Sequence, residues 1–315
     1  MIEWNDRIKL IITDVDETIA PVYMRASDEM IEELSKLLEE NKIIFFITGQ
    51  STKSIEWRIV SFIPANLRRN ILIGQCSGCE VFGYGSSGKI NNKPFYSHYE
   101  EVISNNQKEE WRKIIKIIIE KFKLTTYQTM PKPEFRKITS NPQEIMYEDR
   151  GPQITFEVVH GINLSGNDKE RLNEEFKFNS NDFRDPIILE ASKLLKEKGI
   201  PITPRKAGTF AIDFAVKDIS KADAIKYVLD NPKILNDLGL SEINISEIEI
   251  WGDKFSVSNG GTDRHMSEAL NPSVRSITFR KEDALDFLKG YNTVIWNGEK
   301  ELEEGTLEFI KTRYK

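Results

Sequence analysis

Residues 8–20, IKLIITDVDETIA, begin as an unbroken apolar run, and the helical pattern SDEMIEELSKLLEENK and a second apolar run, IIFFITG, follow. Apolar runs this short and this continuous, rich in Ile and Phe and separated by a 3.6-residue periodicity, predict strands buried on both faces. Such strands belong to a parallel sheet with crossover helices on either side. Ser27 reads as the N-cap of the first helix, with Asp28 and Glu29 in its first turn and Met30, Ile31, Leu34, Leu37 and Leu38 along one face. The rhythm continues with STKSIEWRIVSFI, read as one helix, and NILIG, read as a third strand. The fold class is therefore α/β. In sheets of this kind ligands bind at the carboxyl ends of the strands, and Asp14, Asp16 and Thr48 all fall there.

The pattern changes near residue 90. GYGSSGKINN is a turn region; beyond it come the helix NNQKEEWRKIIKIIIEKFK, the alternating strands GPQITFEVV and TFAIDFAV, and a helix, DFRDPIILEASKLLKEKG, with Gly199 as its C-cap signal. These read as an α+β insert. The α/β rhythm resumes with SKADAIKYVL, SEIEIWGD, TDRHMSEAL and SVRSITF. The expected layout is a discontinuous core over 1–91 and 217–315, interrupted by an inserted domain over 92–216.

At 315 residues, with 39% apolar and 30% charged residues, the chain has the balance of an ordinary soluble protein. A net charge of −6 argues against a general nucleic-acid binder. The sequence has no apolar stretch of membrane-spanning length and no signal-peptide pattern, so a cytoplasmic protein without a membrane partner is expected. Cys76 and Cys79, in CSGC, are the two cysteines. A C-x-x-C pair can serve redox chemistry or half a zinc site. Here it follows a strand instead of opening a helix, and the three histidines lie far off in sequence, so a packed loop is the expected role.

Four segments carry the chemistry: DVDET, ITGQS, Lys221 at a helix start, and WGDKFSVSNGGTD. Asp14, Asp16 and Asp253 converging at strand tips would repel one another unless a cation intervened, and hard oxygen ligands suit Mg²⁺. One carboxylate can then attack a phosphoryl group and the other can move the protons. Thr48 and the backbone at Gly49 can hold phosphoryl oxygens, with Lys221 neutralising their charge.

This set resembles the haloacid dehalogenase-like phosphohydrolase superfamily, whose first motif is D-x-D-x-T/V. The resemblance implies a Rossmannoid parallel-sheet core with Asp14 as nucleophile, Asp16 as general acid and base, and Thr48 and Lys221 as phosphate ligands. It implies metal ligation at Asp14, Asp16 and Asp253, with Asp263 in support, and Mg²⁺ as cofactor. The insert resembles the α+β cap of the type-II subgroup. GDKFSVSNGGTD, EDRGPQITF and TFAIDFAVKDISKADAI are similar to segments of bacterial phosphomannomutase-like proteins. That likeness implies substrate contacts from Arg150 and Asp213.

There are departures. Tyr23, with Arg25 close by, stands where the family's mutases carry a basic residue. Ala211 and Glu157 stand where serines are usual, Thr262 replaces an asparagine, and Glu17 is an unusual residue inside the first motif. The expectation is a Mg²⁺-dependent phosphatase of a small phosphorylated metabolite, a sugar phosphate. A phosphomutase of the phosphomannomutase type is the alternative, and a non-catalytic binding protein the third reading. The tail from Asn292 lies outside the resemblance, and Trp296 within it is expected to pack on the core.

Overall fold

The computed structural model describes residues 2–258, 261–283 and 288–314. Asn259 and Gly260 of the GDKFSVSNGGTD signature lie outside the described residues. The chain divides into two compact units, one formed by 1–97 with 219–315 and the other by 98–218.

The first unit opens with β1 (Leu10–Thr13), α1 (Asp28–Glu39), β2 (Ile43–Ile47), α2 (Thr52–Arg58), β3 (Ile71–Gln75), β4 (Glu80–Gly83) and β5 (Tyr96–Ser97). Every residue of β1, β2 and β3 is buried, as the continuous apolar runs require. Ser27 caps α1, its hydroxyl accepting from the Met30 amide at 3.1 Å. α2 is shorter than the sequence suggests: it ends at Ile59, whose φ of −137° leaves the helical region, and one turn of 3₁₀ helix follows over Val60–Phe62. β4 and β5 also join this sheet, antiparallel, and carry the boundary to 97, six residues beyond the 91 read from the sequence.

The second unit holds α3 (His98–Val102), α4 (Asn105–Lys121), β6 (Thr125–Tyr127), α5 (Lys132–Ile138), β7 (Glu144–Asp149), β8 (Gln153–Glu157), α6 (Gly166–Phe176), α7 (Arg184–Glu197), β9 (Ile202–Ala207) and β10 (Ala211–Val216). Its sheet runs β6-β7-β8-β10-β9, antiparallel except for the β6–β7 pair. Ile154, Phe156, Ile212 and Phe214 alternate along β8 and β10 on one face and are fully buried. The other face carries a polar row in register, Glu148, Thr155, Asp213 and Arg205.

The chain then completes the first unit with α8 (Lys221–Leu229), α9 (Pro232–Asp237), β11 (Ile248–Gly252), α10 (Arg264–Glu268), β12 (Arg275–Thr278), β13 (Thr293–Ile295) and α11 (Leu302–Lys311). The full sheet order is β13-β12-β11-β1-β2-β3-β4-β5, with every pair from β13 to β3 parallel. Strand order reverses at β1, which lies between β2 and β11. Ile11, Ile44, Phe46 and Ile277 pack with α1, α2 and α11 in one core, while Ile12, Phe45, Leu72 and Ile250 pack with α8, α9 and α10 in another. The tail thus supplies the edge strand β13 and the helix α11, and Trp296 is buried against Phe279 and Phe309. No helix among the described residues is long and apolar enough to cross a membrane.

Candidate active site

At the carboxyl ends of β1 and β11 the chain turns out of the sheet at Asp14 and Asp253, and the Asp14 amide still donates to the Trp251 carbonyl at 3.0 Å. One carboxylate oxygen from each of Asp14, Asp253 and Asp263 lies within 4.8 Å of the others, and all three residues are buried. Lys221 reaches this cluster from the first turn of α8. Its Nζ donates to Asp14 Oδ1 at 2.5 Å and to Asp263 Oδ1 at 2.7 Å, with the side chain only 3% exposed. The other oxygen of Asp263 accepts from the Asp253 and Lys254 amides, both at 3.0 Å, so this residue fastens the loop after β11 as well as the lysine.

The electrostatics follow from crowding. Burial drives the Asp14 carboxyl well above its ordinary value, and the carboxylates of Asp263, Asp253 and Asp16 add to the rise, while Lys221 opposes it. Asp253 is pushed up to about 7, by burial first and by Asp263 next, against the lowering influence of Lys254 and Arg280. Burial depresses the Lys221 ammonium, but Asp14 and Asp263 outweigh burial and hold its pKa above the usual lysine value. Three buried carboxylates that repel one another and offer hard oxygens fit a divalent cation of the Mg²⁺ kind.

Asp16 does not join this cluster. Its Oδ1 pairs with Arg58 Nη2 at 2.8 Å, and its side chain is 24% exposed against none for Arg58. The Arg58 guanidinium also donates to the carbonyls of Met24 (2.7 Å) and Pro21 (2.8 Å), pinning the loop after β1 to α2. Of the carboxylates expected at the metal, the structure brings Asp14 and Asp253 together with Asp263, while the Asp16 carboxylate is paired with a buried arginine.

Thr48 is fully buried at the end of β2, and its hydroxyl accepts from the Gln50 amide at 3.1 Å. The CSGC loop locks this turn in place. Ser77 donates its amide to the Thr48 carbonyl at 2.7 Å, and Cys76 donates to the Gln50 carbonyl at 3.0 Å. Both cysteines are buried, and Cys76, Ser77 and Gly78 all have positive φ. Gly78, at φ +87°, lies so close to α8 that an added Cβ would stand 2.7 Å from the Ala224 Cβ. Gly78→Ala is expected to destabilise the protein by about 2 kcal/mol, through overpacking and an unsuitable backbone conformation. A thermal midpoint equal to the parent's would contradict this.

Arg150 and Asp213 share the polar face of the second unit's sheet. Arg150 Nε donates to Glu148 at 2.8 Å and Thr155 donates to Asp213 Oδ1 at 2.9 Å. Burial raises the Asp213 carboxyl above its ordinary value, although Arg150, Thr155 and Arg205 pull it down.

Three residues escaped the sequence reading. Arg58 falls between Ile55 and Ile59 on the apolar stripe of a helix, a placement that marks a charge with a buried partner. Arg280 follows the strand SVRSITF at the same edge of the sheet as Asp253, and its Nη2 lies 2.6 Å from Asp253 Oδ2. Asp283 accepts from the Phe255 and Ser256 amides at 2.8 and 2.9 Å, steadying the same loop, and no sequence pattern signalled it.

No protein-family model matches the sequence, and no curated protein matches it. Solved structures do. A haloacid dehalogenase-like hydrolase from Bacteroides thetaiotaomicron is 15% identical, with 98% of this chain and 100% of that chain covered and a TM-score of 0.55. The C-terminal domain of a trehalose-6-phosphate phosphatase from C. albicans is 15% identical over 96% of this chain and 91% of its own, with a TM-score of 0.54. An N-terminally truncated IMP-nucleotidase from Plasmodium falciparum is 13% identical, with a TM-score of 0.47; this chain spans 97% of its own length there and 68% of the nucleotidase, and 66% of a mutant form of it.

Proposed function

We propose that this chain, which has the fold of the haloacid dehalogenase-like hydrolases, is a Mg²⁺-dependent phosphatase of a small phosphorylated metabolite, a sugar phosphate. The observation that carries the reading is the Lys221 ammonium bridging Asp14 and Asp263 beside Asp253, at the point where strand order reverses. An acidic cluster that merely capped loops would have no need of a buried lysine at its centre.

A carboxylate oxygen of Asp14 attacks phosphorus, and the bond from phosphorus to the ester oxygen breaks. Asp16 is the group assigned to deliver a proton to that leaving oxygen. A water molecule then attacks the aspartyl phosphate and loses its proton to Asp16, and inorganic phosphate leaves as the Asp14 carboxylate is restored. Lys221 and the Thr48–Gly49 turn hold the phosphoryl oxygens and favour the charge that builds on them. Asp14, Asp253 and Asp263 are the side chains that would hold Mg²⁺, which when bound supplies positive charge against the phosphoryl group and relieves their repulsion. Arg150 and Asp213 are assigned to the non-reacting part of the substrate. The polar row of Glu148, Thr155 and Asp213 supports a hydroxylated body, since carboxylates and hydroxyls bind sugar hydroxyls well.

Phosphate release from a panel of sugar phosphates and nucleotides, with Mg²⁺ or with a chelator, tests the proposal. The expected result is chelator-sensitive release, highest for a sugar monophosphate. Turnover that needs a sugar bisphosphate and releases no phosphate would replace it with a mutase.

Because a proton on Asp253 competes with the cation, Mg²⁺ affinity should rise with pH by about tenfold per unit below about 7 and level off above it. The stability of the cation-free protein should move oppositely. A raised carboxylate pKa means that ionisation costs more in the folded state, so the Asp253 contribution declines from its ordinary 3.8 up to about 7. Calorimetric titration at several pH values reads the first trend and thermal unfolding in chelator reads the second.

A further inference from the structure

Two residues outside the assigned chemistry bracket the proposed cation site. Arg280 Nη2 lies 2.6 Å from Asp253 Oδ2 and 2.7 Å from Glu17 Oε2, and its Nε stands 3.2 Å from both Asp253 Oδ2 and the Asp253 carbonyl. Glu17 Oε2 also accepts from Lys254 Nζ at 2.6 Å, and that ammonium stands 3.6 Å from Asp253 Oδ2. Two cations are therefore shared between one carboxylate of the cluster and one carboxylate beside it. Glu17 is held in place at some cost: it has φ +62°, a region L-residues avoid, within a turn closed by its amide to the Ala20 carbonyl at 2.9 Å.

From this sharing we infer that Glu17 and Arg280 set the affinity of the site for its cation, acting as positioning residues. Arg280 is an internal counter-charge on Asp253. It stabilises the cation-free protein and competes with the metal for the same oxygen. Glu17 draws Arg280 and Lys254 away from Asp253 and offsets part of their charge, which favours cation entry. The two residues therefore act with opposite sign, although both belong to one ion-pair network. This inference rests on the cation reading given above, and it gives neither residue a contact with the phosphoryl group.

The experiment is calorimetric titration of the full chain with MgCl₂, paired with thermal unfolding in chelator. It uses the parent protein, Arg280→Gln, Arg280→Lys, Glu17→Gln and the double variant Glu17→Gln/Arg280→Gln. Glu17→Gln should weaken Mg²⁺ binding by about tenfold and Arg280→Gln should tighten it by about tenfold, the effect of one nearby unit charge partly screened by water. Arg280→Gln should also lower the unfolding midpoint in chelator, with Mg²⁺ restoring it. Arg280→Lys keeps the charge and should stay near the parent. In the double variant the Glu17 effect should shrink, because Lys254 alone remains to be drawn off.

A merely structural role predicts that both substitutions loosen the loop and weaken binding together. Weaker or unchanged binding in Arg280→Gln overturns the inference. Glu17→Gln, on a half-exposed side chain, provides the same decision if Arg280→Gln does not fold: unchanged or tighter binding there overturns it. Absence of Mg²⁺ binding by the parent protein fails the cation reading itself, and the inference with it. Parent binding with unresponsive variants fails the inference alone.

Discussion

Asp14→Asn is expected to abolish phosphate release, lowering turnover by roughly 10⁴-fold or more, the loss that removal of a covalent nucleophile brings in comparable enzymes. The substitution keeps the shape but replaces the anionic carboxylate with a neutral amide, whose oxygen is a far weaker nucleophile toward phosphorus. Its effect on stability goes the other way. In the parent, burial and three neighbouring carboxylates make ionised Asp14 costly, with only Lys221 opposing them. The amide carries no charge, and Lys221 keeps Asp263 at 2.7 Å. The unfolding midpoint in chelator should therefore match or exceed the parent's, while Mg²⁺ binding weakens. Turnover retained in this variant would sink the mechanism, and a folded, inactive protein is the outcome it requires.

Lys221→Met is expected to damage both properties at once. The ammonium is the shared partner of two buried carboxylates, and its removal leaves them facing each other without a counter-charge. Breaking a buried pair in this way costs about 3–5 kcal/mol, on the order of a 10 °C fall in midpoint for a chain of this size. The sign with pH is clear. Asp14 and Asp263 raise the lysine pKa above its unfolded value, so its contribution is fully present below the unfolded pKa of about 10.4 and fades only above it. The deficit should appear throughout neutral pH, and Mg²⁺ should recover part of it by supplying charge to the same oxygens. Turnover should fall by about 10²–10³-fold, the usual loss for one donor to a developing oxyanion. An unchanged midpoint in chelator would show that the lysine does not balance the cluster.

The parts of the molecule legible in the sequence are those where local pattern and burial agree. Mostly apolar runs that stop at a polar residue located β1, β2 and β11 together with Asp14, Thr48 and Asp253, because the tip of a buried strand is where a polar side chain can leave the core for a site. Lys221 was legible through Ser220 and a strong helical pattern. The break in α2 was not, since Ile59, Val60 and Ile63 continue the apolar periodicity and are buried in either conformation. The antiparallel pairing of β4 with β5 was not legible either, because turn residues dominate the segment between them and β5 is only two residues long. Arg58, Arg280 and Asp283 act through partners 42, 27 and 28 positions away, and one sequence carries no signal of such pairings. The same holds for the pairing of the Asp16 carboxylate with the buried Arg58 guanidinium.

The position of β1 at the centre of its sheet has a consequence for how the chain acquires its structure. Its two neighbours come from opposite ends of the sequence: Leu10 pairs with Ile43 on one side and with Ile248 on the other. During synthesis, the second unit must emerge before β11 exists. Until then LIIT presents an unpaired apolar edge, the kind of surface that templates association between chains. Closing that edge is a long-range step with a large loop-closure cost, so it should be slow relative to formation of the β1–α1–β2 unit. The same event brings Asp253 to Asp14, which makes assembly of the carboxylate cluster and protection of the growing sheet one step.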